Sequence, residues 1–140
     1  LVSNTTGGFN TAVGQVSLDA NTSGAANVAI GNGALGANTT ANDNVAIGVA
    51  ALENNTTGTS NTACGRYALN GNTTAQNNTA FGRSALLANT TGTPNNAFGA
   101  FALQDCTTGT HNTAIGYVSG ENITTGTKNT AVGTHSLDVL

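Results

Sequence analysis

The sequence predicts an all-β fold, a parallel β-solenoid, from three observations. A pentad, Asn-x-Ala-apolar-Gly, recurs along the 140-residue chain with its glycine every 17 residues and without insertions. Within one copy, Asn44-Val45-Ala46-Ile47-Gly48, side chains alternate between two faces, which is the period-2 pattern of a strand. A unit of this length is too short for a two-helix repeat, which needs about 33 residues. Short units in tandem are typical of a solenoid, in which each unit stacks on its neighbours.

The asparagine that opens each pentad predicts a structural ladder along the solenoid. A partial unit at 1–9 precedes eight units, the last of them truncated, and every one of the eight begins with this residue. They are Asn10, Asn27, Asn44, Asn61, Asn78, Asn95, Asn112 and Asn129. Amides stacked in register can hydrogen-bond along their column, as in cross-β ladders. A second column, interrupted at Cys106, offers Asn21, Asn38, Asn55, Asn72 and Asn89.

The two faces of the pentad strand differ in character. The alanine before the apolar residue never varies, from Ala12 to Ala131, and we expect it to line a narrow interior together with a leucine column. The other face carries apolar residues of changing size, and we interpret it as an interface stripe because continuous exposed apolar patches mark interfaces. The stripe is Val13, Ile30, Ile47, Cys64, Phe81, Phe98, Ile115 and Val132. The alternative is the opposite orientation of the strand, in which these residues fill the interior of the coil.

The rest of each unit predicts a second short strand and two turns. The strand is expected at a small residue followed by leucine, such as Ala34-Leu35. The pentad glycine and the glycine of Asn-Thr-Thr-Gly are expected to supply positive φ at the two turns. In the seventh unit Gly120 replaces the leucine and Ile123 replaces an asparagine, so we expect the isoleucine to refill the vacated space. Copies in successive coils would pair in parallel, about 4.7–4.9 Å apart.

Composition limits the partners of the chain. Charged residues make up 6% of the sequence and the net charge is −3, with Arg66, Arg83 and Lys128 the only basic residues. This balance argues against nucleic acid and anionic membrane surfaces as partners. No apolar run approaches the roughly 18 residues of a membrane span, so membrane insertion is not expected. Since the chain starts within a partial unit, we expect the single repeat domain 1–140 to be a fragment of a longer fibre.

No catalytic, cofactor or metal site is predicted. Residues 31–36 read G-x-G-x-x-G but lack the βαβ context of a dinucleotide site. Cys64 and Cys106 are 42 residues apart in different columns, too far along the rod for a disulfide, so both are interpreted as buried thiols. His111 and His135 lack metal-ligand spacing and are expected at the surface. We therefore predict that the chain is not an enzyme and needs no cofactor.

The unit at 78–92, Asn-Thr-Ala-Phe-Gly-Arg-Ser-Ala-Leu-Leu-Ala-Asn-Thr-Thr-Gly, resembles the repeats of phage-type and bacterial tail-fibre proteins. The cores Asn-Val-Ala-Ile-Gly at 27–31 and 44–48 are similar to the repeats of trimeric autotransporter adhesin heads, although the present period is longer. The resemblance covers essentially the whole chain. It implies a left-handed parallel β-roll, three chains side by side, and an extracellular, cell-surface or virion location. It implies no particular receptor.

Two function classes follow from these observations. The first is a structural or adhesive fibre segment, a stiff homotrimeric spacer or display element whose flanking domains bind a host-surface receptor or glycan. The alternative is an ice-binding β-solenoid that uses a threonine array, namely Thr22, Thr39, Thr56, Thr73, Thr90, Thr107 and Thr124. These threonines are followed by a second threonine or serine and then by glycine or alanine. We expect each adjacent pair to lie in a turn and point opposite ways, which favours the fibre.

Overall fold

Eight short parallel strands stack into a β-solenoid in the computed structural model, which describes residues 1–138. The strands are β1 (Thr11–Val13), β2 (Val28–Ile30), β3 (Val45–Ile47), β4 (Thr62–Cys64), β5 (Thr79–Phe81), β6 (Asn96–Phe98), β7 (Thr113–Ile115) and β8 (Thr130–Val132). They form one sheet in sequence order, and each pairs with the strand 17 residues on, as Ala46 does with Ala63. No helix occurs within residues 1–138. The predicted all-β solenoid and its period are confirmed.

The interior of the coil is narrow and apolar. Ala46, Ala51 and Leu52 of the third coil have no exposed surface, and their counterparts in the second and the fourth to sixth coils join them in one continuous cluster. Burying a leucine side chain contributes about 1.5–3 kcal/mol. Each of the first six coils therefore adds one leucine to the same core, and no coil has a core of its own.

The segment around the leucine is a pair of turns, and the predicted second strand is wrong. Ala51 N–H donates to the carbonyl of Gly48 at 3.3 Å, and Asn55 N–H donates to that of Leu52 at 3.2 Å. Leu52 has a φ of 51°, in the left-handed region. Its N–H still reaches the carbonyl of Ala68 in the next coil at 3.0 Å, so hydrogen bonding between coils continues through the turn. The alternation of apolar and polar residues predicts which side chains are buried, but it does not predict φ. Burial of the leucine outweighs the cost of left-handed backbone, which is about 1–2 kcal/mol.

Two kinds of glycine shape the coil, and only one of them needs positive φ. Gly48, in the pentad, has a φ of 134°, as predicted. Gly58, in the Asn-Thr-Thr-Gly turn, is not among the residues with positive φ, so that prediction was wrong. A Cβ on Gly58 would lie 2.2 Å from the carbonyl oxygen of Ala75, so glycine here permits the close approach of two coils. The left-handed residue of this turn is Ser60, with a φ of 58°.

The seventh coil departs from the repeat at two positions that lie next to each other in the core. Gly120 stands at the leucine position and keeps the left-handed backbone, with a φ of 64°. Ile123 Cδ1 lies 3.1 Å from the point that a Cβ on Gly120 would occupy, and Leu103 Cδ2 lies 3.3 Å from it. The isoleucine is 5% exposed and belongs to the core cluster. It fills the space of the missing leucine, as the sequence suggested.

Candidate functional site

The asparagines that open the pentads form a buried ladder along the solenoid. Those from Asn27 to Asn112 are at most 1% exposed, and the two terminal members are half-buried. In the third coil, Asn44 Oδ1 accepts a hydrogen bond from the backbone N–H of Asn61 at 3.0 Å, and Asn44 Nδ2 donates to the carbonyl of Gly58 at 2.9 Å. One side chain thus links its coil to the next strand and closes its own coil. The backbone-to-amide link recurs between all eight members.

The second asparagine column forms a ladder of direct amide contacts. Asn72 Nδ2 donates to Asn55 Oδ1 at 2.8 Å and to the carbonyl of Ala75 at 3.0 Å. Asn89 Nδ2 continues the column by donating to Asn72 Oδ1 at 3.1 Å. Because Cys106 carries no amide, Asn89 Oδ1 is left buried without a donor. The ladder therefore ends at the point that the sequence marked.

The two thiols occupy different environments. Cys106 is fully buried, and this burial raises the pKa of its thiol above the ordinary value. Its Sγ lies 3.8 Å from the carbonyl oxygen of Gly109. Cys64 is half-exposed on the outer face of β4, so the expectation of a buried thiol there was wrong. Both cysteines are free, in agreement with their predicted separation.

The predicted stripe lies on the outside of the solenoid. Apart from the half-buried Cys64, its members are between 38% exposed, at Ile30, and 65% exposed, at Val132. Consecutive members are partners in the parallel register, so the side chains form one unbroken row. The rings of Phe81 and Phe98 stack with centroids 5.5 Å apart and planes 6° apart. The alanines face inward as expected, and the role of the stripe as an interface stays a prediction.

The predicted threonine array is used largely within the chain. Thr56 Oγ1 donates to the carbonyl of Thr73 at 3.0 Å, and the same bond recurs along the column. A second threonine pattern, Thr-Gly-Thr, was not predicted. Two outward threonines flank an inward glycine in it, as in Thr57-Gly58-Thr59. It recurs at 91–93, 108–110 and 125–127, and its period-2 alternation was the available signal.

A surface cluster that was not predicted, which we name the Arg–aromatic ridge, lies along the C-terminal half of the rod. Its members occupy the two positions that follow the pentad glycine in the fourth to eighth coils. They are Arg66, Tyr67, Arg83, Phe101, Tyr117 and His135. The signal was the concentration of aromatic and basic residues in two adjacent columns of a chain that has few of either. The predicted ladder and stripe lie in other columns.

Metal-ligating side chains do not cluster in the described part of the chain. Residues 1–138 contain no group of three or more His, Cys, Asp or Glu side chains placed to hold a metal ion. A shallow cleft of about 330 Å³ lies beside Asp19, Gly33 and Glu53 and is open to solvent. Within the same residues, no helix has the length and apolarity to cross a membrane. Comparison with protein-family models, curated proteins and solved structures finds no match to this chain.

Proposed function

We propose that this chain is a structural or adhesive segment of an extracellular or virion fibre, a stiff rod in which three copies associate side by side. The observation that carries the proposal is the outer stripe, eight apolar or thiol side chains in one unbroken row on a sheet face. In a single chain this row is open to water. An exposed apolar row of this length is characteristic of an interaction surface.

The rod itself suits a mechanical role. Each coil is joined to the next by the parallel strands and by the asparagines that open the pentads, and threonine hydroxyls and, as far as Asn89, the second asparagine column add further links. Seven steps between eight strands, at about 4.7–4.9 Å each, give a length of about 33 Å. Bending the rod would require stretching these bonds together, because the strand and pentad-asparagine bonds recur in the same register at every step. A display or spacer element needs this stiffness.

Association through the stripe explains its composition. In an arrangement of three chains in register, each stripe residue would meet its own copies around a common axis. Phe81 and Phe98, already stacked within one chain, would then bring six rings into one apolar cluster. Burying a phenylalanine side chain contributes about 1.5–3 kcal/mol, so this cluster would dominate its part of the interface.

Phe81→Arg tests this proposal. Three guanidinium groups, desolvated around one axis without acidic partners in the stripe, would repel one another and dissociate the assembly. We expect folded monomers, detected by sedimentation velocity together with an unchanged β-type circular dichroism spectrum. The matched control is Phe9→Arg, which changes a phenylalanine that is 94% exposed and outside the stripe, and should leave the assembly intact. An assembly unaffected by Phe81→Arg would contradict the proposal, and unfolding would contradict the outward placement of the residue.

Ice binding remains a second candidate because of the Thr-Gly-Thr pattern. Thr91, Thr108 and Thr125 are exposed, and each is followed two residues later by another outward threonine. Freezing-point hysteresis in dilute protein solution would support this candidate. We expect none, because the first threonine of each Thr-Gly-Thr segment lies in a bend and a second bend follows the segment, so the flat strand face that ice requires is interrupted.

A further inference from the structure

The Arg–aromatic ridge is a connected surface and not a scatter of side chains. The guanidinium carbon of Arg83 lies 5.1 Å from the ring centroid of Phe101. That ring meets Tyr117 edge-to-face at 5.9 Å, and Tyr117 meets His135 in the same way at 5.6 Å. The contacts therefore run through four successive coils along the side of the rod.

A second arginine–aromatic pair extends the ridge toward the N-terminus. The guanidinium carbon of Arg66 lies 4.6 Å from the ring centroid of Tyr67, and its Nη2 donates to the hydroxyl of the same tyrosine at 3.1 Å. Both arginines are exposed, and Tyr117 at the other end of the ridge is 50% exposed. The ridge thus presents two guanidinium groups at its N-terminal end and an exposed aromatic ring toward its C-terminal end.

Neither arginine is neutralised within the described chain. The contact of salt-bridge length found among residues 1–138 joins His135 Nδ1 to Asp138 Oδ2 at 2.8 Å, at the end of the ridge remote from Arg66. Arg66 and Arg83 instead lie over aromatic rings, although the chain carries a net charge of −3. Arg66 gives one Nη2 hydrogen to Tyr67 and keeps its other donors, so both arginines can still bind a carboxylate or sulfate, which a guanidinium holds in a bidentate manner.

We propose that this ridge binds an anionic polysaccharide along the side of the rod. Arg66 and Arg83 hold the carboxylate or sulfate groups of the sugar chain, and the exposed ring of Tyr117 receives the apolar face of one of its sugars. The polarised C–H bonds of a sugar ring suit the negative face of an aromatic ring. Nucleic acid fits less well, because two cations on an acidic chain match sparse charge better than a continuous phosphate backbone. The site does not depend on the fibre function and can be tested separately.

The chain provides its own reporter for this site. It has two tyrosines and no tryptophan, and both tyrosines belong to the ridge. Intrinsic tyrosine emission therefore reports on this surface alone. Titration of the assembled protein at low salt with polygalacturonate, and separately with dextran sulfate, should change the emission saturably with at least one polymer. Comparison of the two decides between carboxylate and sulfate, and neutral dextran should have no effect.

Single substitutions distinguish specific binding of the polysaccharide at the ridge from general electrostatic attraction to the chain. Arg83→Ala should weaken binding at least about tenfold, because a charge-assisted hydrogen-bond pair is lost. Tyr117→Ala should weaken binding to a similar degree. Because this change removes one of the two fluorescent tyrosines, its affinity is measured by calorimetry. Lys128→Ala, which removes the cation outside the ridge, is the matched control and should stay within twofold. Sedimentation of every variant should give the wild-type mass.

Four outcomes would overturn the proposal. They are no binding to either anionic polymer, an equal loss in Lys128→Ala, tighter binding of a single-stranded oligonucleotide, and a change of assembly mass in Arg83→Ala or Tyr117→Ala. The last outcome would identify the ridge as a contact between copies of the chain, which is independent of whether the outer stripe also mediates assembly.

Discussion

At the scale of single residues, the fold depends on amides placed inside the coil. An asparagine offers one acceptor and two donors without charge, so Asn44 can satisfy backbone groups of two coils at once. An aspartate at this position would supply acceptors alone and would bury a charge. The repetition of asparagine in every unit therefore has a direct physical cause.

Asn61→Ala tests the ladder. Asn61 Oδ1 accepts from the N–H of Asn78 at 3.0 Å, and its Nδ2 donates to the carbonyl of Ala75 at 2.9 Å. Removing the amide leaves the buried N–H of Asn78 unpaired, at a cost of about 1–3 kcal/mol, whereas the carbonyl of Ala75 keeps its hydrogen bond from Asn72 Nδ2. We expect the free energy of unfolding, measured in urea, to fall by about 1–3 kcal/mol. Asn32→Ala, which removes an exposed amide, should change it by about 0.5 kcal/mol or less. Equal small losses in both variants would contradict the ladder.

Cys106 predicts a pH dependence of stability. Because burial raises its pKa, the folded chain keeps the thiol protonated to higher pH than the unfolded chain does. The stabilising contribution is complete below the ordinary pKa of 9.0 and is lost as the pH rises toward the raised value. We expect the free energy of unfolding to fall over this window, by at most about 1.4 kcal/mol for each pH unit. Cys106→Ala should remove this part of the fall and Cys64→Ala should retain it; indistinguishable profiles would contradict the assignment.

At the scale of the element, the sequence predicts the strands better than the turns. The alternation around Ala46 reports which side chains face inward, and each strand formed where that pattern lies. The leucine segment shows the same burial but adopts left-handed backbone at Leu52, which no burial pattern reveals. Gly58 was misassigned for a related reason, since its role is the approach of a carbonyl from another coil. Local pattern thus predicts facing, whereas φ and contacts between coils require the assembled stack.

The irregular seventh coil offers a test of coupling within one element. Gly120→Leu would bring a Cβ to 3.1 Å from Ile123 Cδ1, and Ile123→Asn would leave a void beside Gly120. Each single change should lower the free energy of unfolding by about 1–3 kcal/mol. The double variant reproduces the pattern of the other coils, so its loss should be smaller than the sum by about 1–3 kcal/mol. Strict additivity would show that Ile123 does not substitute for the leucine.

At the scale of the whole molecule, the candidate sites were predictable only where the repeat itself marks them. The asparagine ladder and the outer stripe are columns of the 17-residue period, and both were found in the sequence. The Arg–aromatic ridge was missed because its residues alternate between two columns and meet only when coils stack, as Phe101 meets Tyr117. The binding partners of the rod are harder still to predict from the sequence. An exposed apolar row indicates that another surface packs on it, but it does not indicate which molecule supplies that surface.

The side-by-side association of three chains is the central claim, and the mass of the native particle tests it most directly. A single chain has a mass of 13.7 kDa. Sedimentation equilibrium of the unmodified protein should give three times this value, about 41 kDa, with no concentration-dependent return to the single chain at micromolar concentrations. A stable particle of 13.7 kDa would mean that the outer stripe stays open to water, and would contradict the claim.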